Sequence, residues 1–352
     1  MLELPVIRRF TLARTRHGEL PFLPTLARLA DGRLLAAYRV ARAHTHCVGR
    51  IAVVESSDDG TTWSEPRIVV DTLLDDRDPM LVQLTTGDIL LSYFRINWHT
   101  LPWEVPGVDV IRSTDGGHSW GEPTPIGSTM RRETDQSWRG FRTGHIATHG
   151  PILELSGGDL LAPIYGVAPG GTAYVSSVVR STDSGHTWPE SSEVILGAGY
   201  VEPVLTLLPN GQVTALLRTD DGSPGLSGPA TTDVRARLTR SDDHGHTWSS
   251  PEVLRLQASS AATATLADGG VLLAYGDLAD SPRRPTRVTV IDDPLASWDG
   301  DKGPIVHDAG RSALETYDQA NPAVAELPDG TLLVVSYDIH TREVVGAALG
   351  RR

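Results

Sequence analysis

Asp78, Glu202 and Asp318 stand just ahead of short apolar runs, at positions where packing has no use for a charge. Two such carboxyls facing each other would suit cleavage of a glycosidic bond, which takes one as proton donor and a second as nucleophile or base. Cations and imidazoles surround them in the sequence. Asp76-Arg77-Asp78 forms one cluster, His145 and His149 a second, and Glu315, Tyr317, Asp318 and Gln319 a third, while Arg39, Arg42, His44 and His46 follow the first hairpin. Arginine is the preferred partner of a carboxylate, so these groups also suit an anionic sugar. An elimination on a uronate would use the same set differently, with His145, His149 or Tyr317 accepting a proton from carbon and an arginine neutralising the carboxylate. The spacings His44-x-His46-Cys47 and His145-x3-His149 fall on no predicted helix and read as hydrogen-bonding histidines, with no metal and no cofactor expected.

Such groups converge only if the chain places them on one axis. Six short apolar pairs broken by a glycine turn provide that frame: Leu29–Leu34, Leu84–Ile89, Leu155–Leu160, Leu208–Val213, Leu266–Val271 and Leu327–Leu332. Asp-Gly and Asn-Gly between apolar runs are strong hairpin signals. A second repeat, Ser-x-Asp-x-Gly-x-Thr/Ser-Trp, starts at Ser56, Ser113, Ser181 and Ser241, one copy after each of the first four hairpins. Its Asp accepts backbone hydrogen bonds in a tight turn, its Gly supplies a positive φ, and its Trp covers the hairpin end. Two hairpins per unit give four strands, and six units predict an all-β fold, a six-bladed β-propeller of antiparallel blades forming one domain over residues 1–352.

The blades are expected at about 22–70, 80–126, 149–196, 202–254 and 261–298, with the sixth starting near Asn321. In the fifth the phrase has decayed to Asp292–Trp298, and the sixth is one strand short. The segment Leu4–Leu12 has strand character and is expected to fill that gap and close the ring. The heads of the inner strands, where the titratable groups stand, would then meet around the axis.

Composition narrows the partners. The net charge of −13 argues against nucleic acid and anionic membranes as partners, and leaves a carbohydrate as the expected one. Oligomeric state stays open. Cys47 is the only cysteine, so no intramolecular disulfide forms. No apolar run near the first residues is long enough for a leader or a span, which makes a cytoplasmic location the expectation.

The four Ser-x-Asp-x-Gly-x-Thr/Ser-Trp phrases resemble the Asp-boxes of the sialidase (neuraminidase) superfamily, and the resemblance covers nearly the whole chain. It implies that Asp58, Asp115, Asp183 and Asp243 are structural, because Asp-boxes sit on the outer rim. Glu202, nine residues before Gly211, and Arg218, seven after it, are similar to a family segment. There the Glu supports a tyrosine nucleophile and the Arg helps clasp the substrate carboxylate. Arg283, Arg284 and Arg287 lie near the place of another clasping arginine. Three departures accompany these matches. Phe22-Leu23-Pro24 replaces the family's Arg-Ile-Pro, Asn321 holds the place of the tyrosine, and the loop Arg39–Cys47 has no carboxylate for the acid.

These residues together predict Glu202, Asp78, Tyr317, Asp318 and His145 as the catalytic set, with Arg218, Arg284, Arg39, Arg77 and His149 binding substrate. The expected activity is hydrolysis of a terminal, carboxylate-bearing sugar that need not be sialic acid. A uronate lyase and a glycan- or protein-binding propeller are the alternatives.

Overall fold

The computed structural model describes residues 3–131, 134–220, 233–280, 283–299, 302–309 and 319–351. Six antiparallel blades stand around one axis. Blade one is Leu20–Arg28, Leu34–Ala41, Gly49–Ser56 and Arg67–Val70, and blade two is Asp75–Gln83, Ile89–Asn97, Glu104–Ser113 and Thr124–Pro125. In blade three the inner strand is split into His145–Thr148 and Leu153–Glu154, followed by Leu160–Val167, Val175–Ser181 and Val194–Ala198. Blade four is Tyr200–Leu207, Val213–Thr219, Arg237–Ser241 and Glu252–Val253. Blade five is Ala258–Thr265, Val271–Asp277, Thr286–Ile291 and Ile305–His307, so it runs past the expected limit at Trp298.

Blade six holds Ala323–Glu326, Leu332–Asp338 and Glu343–Leu349, and its fourth strand is Val6–Arg14, paired from Val6 with Leu349 to Arg14 with Glu343. The chain's first strand closes the ring as the pattern required, and it removes the edge that Glu343–Leu349 would otherwise expose.

The core is distributed. Six clusters of buried apolar side chains lie one at each interface between adjacent blades. This explains the near-continuous apolar character of strands such as Leu34–Ala41, which is buried along its whole length because both faces meet a neighbouring blade.

The outer turns repeat one geometry. Ser56 Oγ donates to Asp58 Oδ1 at 2.8 Å and accepts the Gly60 amide at 2.9 Å, while Asp58 also receives the Thr62 amide at 2.8 Å and the Thr62 hydroxyl at 2.6 Å. The same bonds recur about Asp115, Asp183 and Asp243. These hydrogen bonds hold all four carboxyls below their usual range, Asp58 and Asp183 to about 2.

The inner strands repeat a different device. Pairing with the second strand slips between Phe22 and Thr25, Arg77 and Met80, Val201 and Val204, and Ala258 and Ala261. In the first three slips a residue of positive φ precedes a proline: Leu23 (53°), Asp78 (49°) and Glu202 (51°). A bulge tolerates proline, which has no amide proton for the ladder, and it re-aims the side chain beside it.

Candidate axial site

The bulges of blades two and four put Asp78 and Glu202 at the heads of their strands in left-handed backbone, a conformation that costs a non-glycine residue about 1–3 kcal/mol. Leu23 has the same conformation without any titratable group. The bulge is therefore a property of the frame, and the side chain placed on it decides what the axis can do.

Glu202 is held at both oxygens. Arg218 Nη1 donates to Oε1 at 2.8 Å, and Ser260, from the bulge of blade five, donates to Oε2 at 2.7 Å. Burial pushes this carboxyl up, but Arg218, His149 and the two hydrogen bonds outweigh it, so Glu202 rests below its ordinary value. Asp78 moves the other way. Burial raises it and the nearby Glu202 adds to the rise, with Arg77, His149 and His44 opposing only in part. Its Oδ1 lies 3.7 Å from Arg77 Nε and accepts no hydrogen bond among the described residues. Two carboxyls in one electrostatic neighbourhood thus rest on opposite sides of their normal range.

His149 acts on both carboxyls and is itself buried, its Nε2 3.4 Å from the Ala261 carbonyl in blade five. The next residue, Gly150, has φ of 83°, and a Cβ there would lie 2.7 Å from the Pro203 carbonyl oxygen. Only glycine lets the split strand of blade three approach blade four this closely, which is what brings His149 beside Glu202.

His145 hydrogen-bonds through Nδ1 to the Arg142 carbonyl at 2.7 Å. A carbonyl only accepts, so the proton sits on Nδ1 and Nε2 keeps its lone pair. Burial lowers this imidazole and favours the neutral form.

The expected cations divide. Arg218 serves Glu202. Arg77 is buried between Asp75, 3.1 Å from Nη1, and the carbonyl of His44. Arg39 is not brought to open space. It is fully buried, with Nε and Nη2 each 2.7 Å from Asp75 Oδ1 and Nη1 3.1 Å from the Ala43 carbonyl, so its charge is used between blades one and two. Arg284 adopts φ of 47° and donates to the Gln319 carbonyl at 3.2 Å. Arg283 pairs with Asp308, and Arg287 with Asp277 at 2.6 Å. Tyr317 and Asp318 lie outside the described residues, as does Glu315.

Where the resemblance implies an arginine, Phe22 is fully buried, its ring centroid 5.7 Å from Tyr337 and 5.3 Å from His44. Asn321 donates to the Tyr337 hydroxyl at 3.2 Å. The blade-one side of the axis is thus filled by an aromatic contact, with the buried Arg39 guanidinium 5.1 Å from the Phe22 ring centroid.

Several contributors carried no sequence signal. Tyr165, on the second strand of blade three, neighbours both carboxyls, and Tyr174, just ahead of the third strand, neighbours Glu202; burial first, with Glu202 among the nearby charges, raises both hydroxyls above their normal range. A hairpin from Ser137 to Arg142 lies between blades two and three in sequence. Its turn residue Arg139 pairs with Asp220 of blade four at 2.8 Å and lies 3.9 Å over the Trp138 ring. Ser260 and Asp75 complete the set. Ser260 looks like one more polar residue of an alanine-rich strand, and only the bulge turns it toward Glu202.

Comparison with known proteins places this architecture. A family model described as a BNR repeat-like domain matches residues 72–302. A sialidase of Paraclostridium sordellii is 28% identical over 188 residues, 49% of this chain and 46% of the relative. A sialidase of Micromonospora viridifaciens is 29% identical over 236 residues, 60% of this chain and 34% of the relative. The chain therefore matches less than half the length of either. Among solved structures, a protein of unknown function from Dyadobacter fermentans superposes with a TM-score of 0.80 at 20% identity, covering 99% of both chains. A Hadza microbial sialidase gives 0.71 at 18% identity, covering 94% of this chain and 65% of that one. At such identities the structural likeness carries the fold.

Proposed function

The chain belongs to the BNR repeat-like domain family, with a sialidase-like propeller, and from that premise we propose that it is a glycoside hydrolase whose axial pair is Asp78 and Glu202. One observation carries the reading: matching bulges present two carboxyls, Asp78 buried and Glu202 partly buried, to a common neighbourhood, and their surroundings drive one up and the other down. Pairs of titratable groups pushed apart in this way mark acid and base assignments. Asp78, whose carboxyl is raised by burial, donates its proton to the glycosidic oxygen as the bond to the anomeric carbon breaks. Glu202, kept ionised, faces the positive charge that develops there and accepts the proton of the attacking water. Arg77 and Arg218, each beside a carboxylate of the protein, are the cations of this neighbourhood, and their guanidinium groups support a terminal sugar bearing a carboxylate.

The buried Phe22 in place of a clasping arginine supports a substrate other than sialic acid. A lyase reading draws support from His145, whose Nε2 lone pair suits proton abstraction from carbon.

The test is turnover on aryl glycosides and oligosaccharides of neutral, uronic and nonulosonic sugars, with wild type, Asp78→Asn and Glu202→Gln. Release of a saturated sugar, lost in both variants while the circular dichroism is unchanged, is the expected result. A product absorbing in the ultraviolet through a new C=C bond would replace this reading with the lyase. No turnover anywhere, with ligand affinity indifferent to Glu202→Gln, would leave a binding module.

A further inference from the structure

Asp75 is a fully enclosed carboxylate near the axis, and neither the family resemblance nor the acid–base pair assigns it a task. Its Oδ1 accepts from Arg39 Nε at 2.7 Å, and its Oδ2 from Arg77 Nη1 at 3.1 Å and from Trp98 Nε1 at 2.8 Å. Both side chains of the Arg39–Asp75 pair are fully buried. The space is reserved for this contact: a Cβ on Gly49 would lie 2.4 Å from Asp75 Oδ1 and 2.5 Å from Arg39 Nε. Arg77 Nη1 donates to the His44 carbonyl as well as to Asp75, and with that end of the guanidinium held its Nε is turned to Asp78 Oδ1. A buried guanidinium with one anchor would be free to swing onto the unpaired Asp78 oxygen and quench it as an acid. With two anchors it stays at 3.7 Å, a distance that tempers the carboxyl without hydrogen-bonding it.

We propose that Asp75 is a positioning residue of the axial site: it fixes the Arg77 guanidinium so that Asp78 remains available to donate its proton. The inference rests on the hydrolase reading for Asp78. The groups facing Asp78 are Arg77 from its own strand, His44 from the loop of blade one, His149 and Tyr165 from blade three, and Glu202 from blade four. Arg77 stands first among the charged ones, so whatever moves Arg77 moves Asp78.

The experiment is the pH profile of kcat/KM for Asp75→Asn, Arg39→Met and wild type on a substrate the wild type cleaves. Loss of proton donation by Asp78 forms the alkaline limb. Asp75→Asn removes the negative charge that occupies Arg77, so the limb is expected to move to lower pH by roughly one pH unit. Arg39→Met removes a positive charge and leaves Asp75 to Arg77 alone, so the limb is expected to stay or move upward. Both variants lose stability, so opposite displacements separate a positioning role from a merely structural one. Where Asp75→Asn does not fold, the double variant Asp75→Asn with Arg39→Met, which removes a buried pair instead of half of it, carries the test with the same downward direction. An unmoved limb in Asp75→Asn, or movement of both single variants in one direction, overturns the inference while leaving the hydrolase reading intact. A wild type with no turnover fails the hydrolase reading first.

Discussion

The propeller uses aspartate and positive φ in two places to opposite ends. On the outer turns, Asp58, Asp115 and Asp183 are exposed and Asp243 partly so, each is saturated by hydrogen bonds from within eight residues, and all four are held below their usual range. On the axis, Asp78 and Glu202 are enclosed by groups from several blades and pushed in opposite directions. The outer carboxyls are identical because each turn is self-sufficient. The inner ones differ because each depends on what the neighbouring blades bring. Repetition therefore marks the frame, and departure from repetition marks the site.

The largest effect that could break this division is on turnover. Asp78→Asn and Glu202→Gln are each expected to lower kcat/KM by about 10²–10⁴-fold, the usual worth of a positioned acid or base. Asp243→Asn, on the outer rim, is expected to leave it unchanged. Equal losses from an outer and an inner substitution in steady-state assays would erase the distinction.

The next effect is on stability and tests how tightly the inner side is built. Gly49→Ala would drive a methyl into the Arg39–Asp75 pair. Separating a buried ion pair costs about 3–5 kcal/mol, and a loss near the lower end is expected in denaturant unfolding. Substitution of Gly211 by alanine meets no neighbouring atom, so its cost is set by its φ of 89° alone.

This contrast also explains what the sequence could reveal. The six hairpins were legible because their turns are local: Asp31-Gly32 or Asn210-Gly211 needs no distant partner. The strand Ile305–His307 was not, because three residues carry no period and the phrase that would flag them has decayed about Trp298. Trp298 nevertheless is buried and donates to the Pro294 carbonyl at 3.0 Å, so the outer tryptophan outlasted the turn it covered.

At the axis, Asp78, Glu202 and His149 could be named from their place at the heads of inner strands. Their partners could not. Ser260 lies 58 residues from Glu202, and Asp75 differs from its neighbour Asp76 by nothing visible in sequence. Asp76 turns instead to the amide and hydroxyl of Thr72, at 2.8 and 2.9 Å, and burial raises it to about 6. Arg39 shows the converse: its charge was legible and its complete burial was not, since burial is set by which blade packs against it.

A smaller effect sharpens the outer side of the comparison. Ser181 accepts the Gly185 amide at 2.8 Å and donates to Asp183 at 2.7 Å, with its side chain buried. Ser181→Ala is expected to cost about 1 kcal/mol in unfolding experiments and nothing in turnover. A loss of activity would mean that the outer turns communicate with the axis.

The smallest effect is the pH dependence of one turn. Asp183 is held down to about 2, chiefly by the hydroxyl of Thr187, against an ordinary value of 3.8. A carboxyl depressed in the folded state stabilises the fold above its unfolded value, and that contribution disappears as pH falls through the folded one. The thermal midpoint of Asp183→Asn should therefore lie slightly below that of wild type from neutral pH down to about 4, and the gap should close as pH approaches 2. Because the side chain is exposed, water and salt screen most of the interaction, so the gap is small and shrinks further in high salt. The axial Asp78, raised by burial, has the reverse sign: its ionisation costs stability as pH rises above its ordinary value of 3.8, so any loss in Asp78→Asn should narrow or reverse as pH rises from there. Two aspartates in one chain would then show stability differences of opposite slope, and parallel slopes would mean that enclosure by neighbouring blades is not what separates the axis from the rim.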